Sequence, residues 1–166
     1  MIKEEVVIKK MELVKKEHCL ESKGEKEIWK RMETSDYLIS SYGRIYSLIS
    51  ERLVCPSVKE KDGESILYIN VKWNSGITVR KYINIAVGQA FLELKHKQKY
   101  NIKYINKDST DCFYKNLEFH KKGKVISYNN LEKNKKEDDQ LNNYLDNIIE
   151  YYRIEKEESY SSLLYI

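Results

Sequence analysis

Residues 101–120, NIKYINKDSTDCFYKNLEFH, gather the side chains of this protein best suited to chemistry. Asp108, Asp111, Asn116 and Glu118 offer hard oxygen donors of the kind a divalent cation such as Mg2+ takes, and His120 follows as a group able to activate water. Together they are the kinds of group that metal-assisted hydrolysis uses, in which a cation polarises the substrate and a base generates the nucleophile. Spacing alone does not make them converge, and each has an ordinary reading beside the chemical one. Asn116 suits a turn that it closes through its own side chain. Tyr104 reads first as half-buried packing, because a phenol with an unperturbed pKa near ~10 is protonated at neutral pH and is a poor base. His18, His96 and His120 are scattered through charged contexts, and only His120 directly follows the candidate cluster. A second group is basic. Arg44 beside Gly43, with Lys72, Arg80 and Lys81 on a predicted hairpin, could contact a nucleic-acid backbone. A solvated surface explains the same residues in a chain that is 34% charged.

The elements that must position these residues are mostly extended. Tyr37-Leu38-Ile39 and Arg44–Leu48 flank SSYG, where Gly43 can supply the positive φ of a tight turn. Arg52–Cys55 adds a short strand before Pro56 and a turn at Asp62-Gly63. SILYINVKW (65–73) alternates, with Leu67, Ile69, Val71 and Trp73 on one face and Ile66 and Tyr68 on the other. NSG then turns the chain into ITVRKY (77–82). The sheet is therefore antiparallel and built from hairpins. In residues 83–94 the period changes. Ile83, Ala86, Val87, Ala90, Phe91 and Leu94 form an apolar helical stripe able to cover the sheet. Two short extended pieces follow, near Ile102–Ile105 and Leu117–His120. Residues 122–136 read as a polar connection into a last amphipathic helix carrying Leu141, Tyr144, Leu145, Ile148, Ile149 and Tyr152. Trp29 and Trp73 read as core. Residues 1–26 are charged and weakly periodic, and predict an arm with a short strand or a frayed helix.

Composition narrows the class. At 166 residues the chain can bury a core, and its formal charge of +4 permits a nucleic-acid partner without requiring one. Lysine, asparagine, isoleucine and tyrosine are abundant, as in AT-rich genomes such as those of many large DNA viruses and phages. Cys19, Cys55 and Cys112 show no paired spacing, which argues against a disulfide framework or a structural zinc site. With no signal-peptide pattern and no membrane-length apolar run, the expectation is a soluble, intracellular protein, in host cytoplasm, nucleoid or virus factory if viral.

Two stretches resemble the HNH homing-endonuclease family that carries a nuclease-associated modular domain. The first is EIWKRMETSDYLISSYGRIYSL (27–48), in which Trp29, Tyr37, Ser40, Gly43, Arg44, Tyr46 and Ser47 match the family pattern. The second is NIAVGQAF followed by IKYINKDSTDCFYKNLEF, similar to the family's Ala-Phe helix and its nuclease loop closing in Asn-Leu-Glu-aromatic. The resemblance implies a cation held against the scissile phosphate and a histidine base. It also marks departures. Asn84 stands where the family has a histidine opening the helix, Tyr104 at the general-base histidine, and Lys103 at the preceding Asn or Asp. Lys107 replaces a glycine. Asn116, on the metal side of such sites, and Glu118 are retained. In such a site a lysine next to the metal position would repel a dication.

The combined expectation is an α+β protein. Its antiparallel hairpin-built sheet carries a packed helix and is followed by a degenerate ββα finger and a C-terminal amphipathic helix. The segments are a charged arm (1–26), a nuclease-associated β domain (27–82), an HNH-like region (83–135) and a helix with tail (136–166). The expected function is nucleic-acid binding or scaffolding after loss of the catalytic histidine. No cofactor is expected, Mg2+ entering only with retained nuclease activity. Double-stranded DNA, or a protein or second copy met through the C-terminal helix, are the expected partners. The alternatives are an active endonuclease with a relocated site on Asp108, Asp111, Asn116, Glu118 and His120, and a viral structural or interaction module.

Overall fold

The computed structural model describes residues 4–32, 35–72, 76–95, 98–143 and 145, and the chain falls into two compact units, 1–128 and 129–166. The fold is α+β, and every strand pairing in it is antiparallel.

The charged N-terminal segment is an integral part of the first unit. Residues Glu4–His18 form helix α1, with Glu4 and Glu5 in its first turn and Lys15, Lys16 and His18 in its last, the charge order that complements the helix dipole. Val7 and Val14 are each 1% exposed, and they pack with Trp29, Leu38, Tyr46 and Leu48, with Met11 against the cluster. The expected arm is thus a core helix. Its periodicity was weak because only this narrow i, i+4, i+7 stripe is apolar and inward-facing. A hairpin of β1 (Glu21–Ser22) and β2 (Glu25–Lys26) follows it.

The strands β3 (Trp29–Arg31), β4 (Tyr37–Ser40), β5 (Ile45–Ser47) and β6 (Arg52–Val54) form a four-stranded sheet in sequence order. The turn between β4 and β5 depends on Gly43. Its φ is +81°, and a Cβ there would lie 2.6 Å from the Cys112 Cβ, so the turn meets the later loop with no room for a side chain. The Ser41 carbonyl also accepts from the Tyr114 amide at 2.9 Å, tying the same turn to that loop.

A second sheet contains β7 (Ser57–Lys61), β8 (Glu64–Lys72) and β9 (Thr78–Tyr82). Ile69 and Val71 are buried, as the alternation predicts, and Asp62 and Gly63 both take positive φ in the turn. Trp73 and the predicted NSG turn lie partly outside the described residues. Helix α2 (Ile83–Phe91) buries Ile83, Asn84, Ala86, Val87 and Gly88. A Cβ on Gly88 would lie 2.4 Å from Leu94 Cδ1 and 2.7 Å from Phe119 Cζ, so close packing there requires glycine.

The third sheet holds β10 (Asn101–Tyr104), β11 (Leu117–Lys121) and β12 (Lys124–Ile126). The region expected as a polar connection therefore contains a strand, and helix α3 starts at residue 128, with 128–143 and 145 helical among the described residues. Lys122 (φ +46°) and Gly123 (φ +78°) make the turn that returns β12. The 27–82 and 83–135 segments sit in one unit up to residue 128, because α2 packs on strands from both sides of residue 83. In the second unit Leu141 is exposed and Lys133 meets Glu137 at 3.7 Å. The remaining predicted stripe positions Tyr144, Ile148, Ile149 and Tyr152 lie outside the described residues.

Candidate functional site

The β10–β11 register sets the geometry of the candidate loop. Tyr104 lies opposite Leu117, Lys103 opposite Glu118, and Asn101 opposite His120. Tyr104 is 8% exposed and Asn84, the second residue of α2, is 4% exposed. The Asn84 Nδ2 donates to the Tyr104 hydroxyl oxygen at 2.7 Å. Asn84 and Tyr104 therefore touch, through a neutral hydrogen bond. Burial pushes the Tyr104 phenol up to about 12, against the smaller opposing effect of the Asn84 bond. At neutral pH this group stays protonated and can only donate or accept a hydrogen bond. It is not a base.

Lys107 takes a backbone conformation that favours glycine. Its φ is +63°, in the left-handed region, and its amide donates to the Tyr104 carbonyl at 3.1 Å. Its side chain is exposed.

Asn116 is committed to the loop. Its Oδ1 accepts from the Asn106 amide at 2.9 Å and its Nδ2 donates to the Asp111 carbonyl at 2.8 Å. Asp108 is spent locally, accepting from the Thr110 hydroxyl at 2.6 Å and the Thr110 amide at 2.9 Å, which hold its carboxyl below the usual range. Asp111 pairs with Lys23 and accepts from Asn106 Nδ2 at 2.7 Å. Glu118 lies 3.8 Å from Lys103 and 3.4 Å from His120 Nε2, a nitrogen buried without a hydrogen-bond partner.

This donor set does not fit a divalent cation. Lys103 stands beside Glu118, the Asn116 amide faces backbone, and among the described residues no group of three His, Cys, Asp or Glu side chains is placed to share a metal. No step through Mg2+ follows from such an arrangement.

The basic candidates separate into three situations. The Arg44 guanidinium is engaged inside the protein. It donates to the Glu27 carboxylate (Nε to Oε1, 2.9 Å) and to the His18 carbonyl, and lies 5.4 Å from the Trp29 ring centroid. Lys72 and Arg80 share one face of the second sheet, because Lys72 is opposite Thr78 and Arg80 opposite Asn70. Lys81, opposite Ile69, lies on the other face. Register adds residues that the sequence did not single out. Lys59 pairs with Ile66 and Lys61 with Glu64, so both lysines join the Lys72–Arg80 face with Tyr68 and Tyr82. The Arg80 guanidinium lies 4.3 Å from the Tyr68 ring centroid. Strand SVKEK is exposed at every position, so no apolar alternation announced it.

Two clefts border these groups. One of 490 Å³ includes Tyr37, Ser47, Arg52, Cys55 and Asn70 in its lining, and one of 320 Å³ includes Glu64, Lys103, Tyr104, Lys107 and Ser109. Among the described residues no helix is long and apolar enough to cross a membrane.

The chain matches no protein-family model and no curated protein. Among solved structures it overlaps the HNH homing endonuclease I-HmuI, from work on DNA binding and cleavage by that protein. The TM-score is 0.46 and the identity 18%, over 56% of this chain and 52% of that one. The overlap thus spans about half of that protein's length.

Proposed function

We propose that this protein binds double-stranded DNA on a homing-endonuclease-like scaffold and does not cut it. The observation that carries the reading is the Asn84–Tyr104 hydrogen bond, 2.7 Å long and buried. It occupies the two positions where the resembled family has histidines, with a lysine replacing the residue before the base. Water activation and cation binding are both disfavoured by those groups. Support for binding comes from the face carrying Lys59, Lys61, Lys72 and Arg80, with Tyr68 beneath the guanidinium. Cations on an exposed sheet face suit phosphate contacts, which position a protein on a duplex without selecting a sequence.

The test is affinity for duplex DNA measured across a salt series on the full chain. Wild type is expected to show a steep negative slope of log affinity on log salt. The Lys72→Gln/Arg80→Gln variant is expected to weaken binding and flatten that slope by about 2, one for each phosphate contact removed. No binding by wild type at low salt would overturn the proposal and point to a protein partner.

A further inference from the structure

Away from the loop of residues 101–120, the 490 Å³ cleft between the four-stranded sheet and the second sheet holds one unpaired cation. Among the described residues Arg52 is the sole charged side chain in its lining. The neighbouring Glu51 is drawn off by Lys10 at 2.7 Å, and no carboxylate or carbonyl among the described residues takes the Arg52 guanidinium. Strand register sets what stands beside it. Tyr37 lies opposite Ser47 and Ser47 opposite Arg52, so a phenol, a hydroxyl and a guanidinium form one row on one face of the sheet. Ser47 is 5% exposed, and its oxygen already accepts from the Ser50 amide at 3.2 Å, which leaves the hydroxyl hydrogen to give. The next row on the same face, two residues along each strand, is Ile39, Ile45 and Val54. Val54 lines the cleft as well, with Ile69 from the second sheet. The cleft thus passes from a row of donors to an apolar wall within about 7 Å of strand.

We propose that this cleft binds a small monocarboxylate with an apolar body. Arg52 and the Tyr37 and Ser47 hydroxyls hold its head, and Val54 and Ile69 cover its body. The planar guanidinium fork matches a carboxylate bidentately. Charge sets the class. One guanidinium balances one negative charge, and a phosphate monoester carrying about two would leave the second uncompensated in a recess. An amino acid is disfavoured for the opposite reason, because its ammonium group would find no carboxylate in the lining. The volume of 490 Å³ suits a small-molecule site, for which about 300–1,000 Å³ is usual. The proposal stands apart from DNA binding and needs no cation of the Lys72–Arg80 face.

The test titrates the full chain with sodium hexanoate, against sodium chloride at matched ionic strength, and follows backbone amide chemical shifts. Saturable shifts are expected at residues 47–57 and 69–70, with half-saturation near about 1 mM, as suits so small a ligand. Arg52→Gln, at an exposed position, should abolish them. Arg52→Lys, which keeps the charge and loses the fork, should weaken binding about tenfold. Hexanamide, the neutral counterpart, should leave the same amides unmoved. Cys55 is exposed in the same lining and serves as a second reporter, since Cys112 is buried. Its alkylation by N-ethylmaleimide, in a Cys19→Ser background, should slow as hexanoate saturates. Equal shifts with hexanamide, shifts that survive Arg52→Gln, unchanged alkylation of Cys55, or no saturation by about 20 mM overturn the proposal. So does a duplex-DNA salt slope that falls by about 1 in Arg52→Gln, which would assign the guanidinium to a backbone phosphate.

Discussion

Replacing Glu27 with alanine should cost about 3 kcal/mol of folding stability, and the structure shows why the number is that large. The Glu27 side chain is 0% exposed and its carboxylate accepts from Arg44 Nε at 2.9 Å, from Arg44 Nη2, and from the Leu20 amide at 3.1 Å. Deleting it strands a guanidinium whose own side chain is 27% exposed, together with a part-buried amide. Breaking a buried pair from one side costs about 3–5 kcal/mol, and the partial exposure of Arg44 places this case at the lower end. With a urea m-value of about 2 kcal/mol per molar, the midpoint should fall by about 1.5 M. Trp29, 5.4 Å beneath the guanidinium, offers a local fluorescence reporter for the melt. The paired variant Glu27→Ala/Arg44→Met should lose less than the single one, since no uncompensated charge remains. A single-variant loss under about 1 kcal/mol, or a double variant less stable than the single, would refute the claim that the Arg44–Glu27 pair supports the core.

Three further outcomes follow from the loop and its supports. Asn116→Ala should destabilise the chain by about 1–3 kcal/mol in a urea melt, because it removes both bonds that close 106–116. Gly88→Ala should cost about 1–3 kcal/mol, measured by thermal unfolding, since its Cβ would meet the buried Leu94 and Phe119 side chains at 2.4 and 2.7 Å. Tyr104 should titrate late: its phenol is held up at about 12 against an ordinary 10.0. The neutral form is bound in both states below pH 10, and above it the unfolded chain ionises first. Stability worth about 2–3 kcal/mol is thus complete below pH 10 and lost as pH rises through about 12. Tyr104→Phe should abolish that component in a pH series of melts.

The parts of the fold that alternate or repeat were readable in advance. The hairpins at 37–48 and 64–82 and the stripe of α2 follow from period-2 and helical spacing, and the structure places Ile69, Val71, Ala86 and Val87 inward accordingly. Helix α1 was readable only as one of two alternatives, a short strand or a frayed helix, because a stripe carried by two valines and a methionine among charges leaves little periodic signal. Strand β7 was missed for the opposite reason: all five of its residues are exposed, so only its pairing with β8 defines it. The helix beginning at residue 128 was also placed too late, since its first turns are polar and partly or fully exposed. At the site, sequence spacing suggested acids able to share a cation, but local turn chemistry claimed them first. Asp108 is taken by Thr110, Asp111 by Lys23 and Asn106, and the Asn116 amide by the backbone. The Asn84–Tyr104 contact joins residues 20 apart in sequence, and no local pattern announces a hydrogen bond across that distance. Arg44 likewise reads as a surface strand residue until its buried partner Glu27, 17 residues away, is located.

The central claim is binding without cleavage, and one gel tests it. Purified full-length protein is incubated with supercoiled plasmid at low salt with Mg2+, then with Mn2+, and run with and without protein removal. The account predicts retarded plasmid that returns to its supercoiled position once the protein is stripped. Nicked or linear plasmid that disappears when Asn116→Ala replaces the wild type would contradict it.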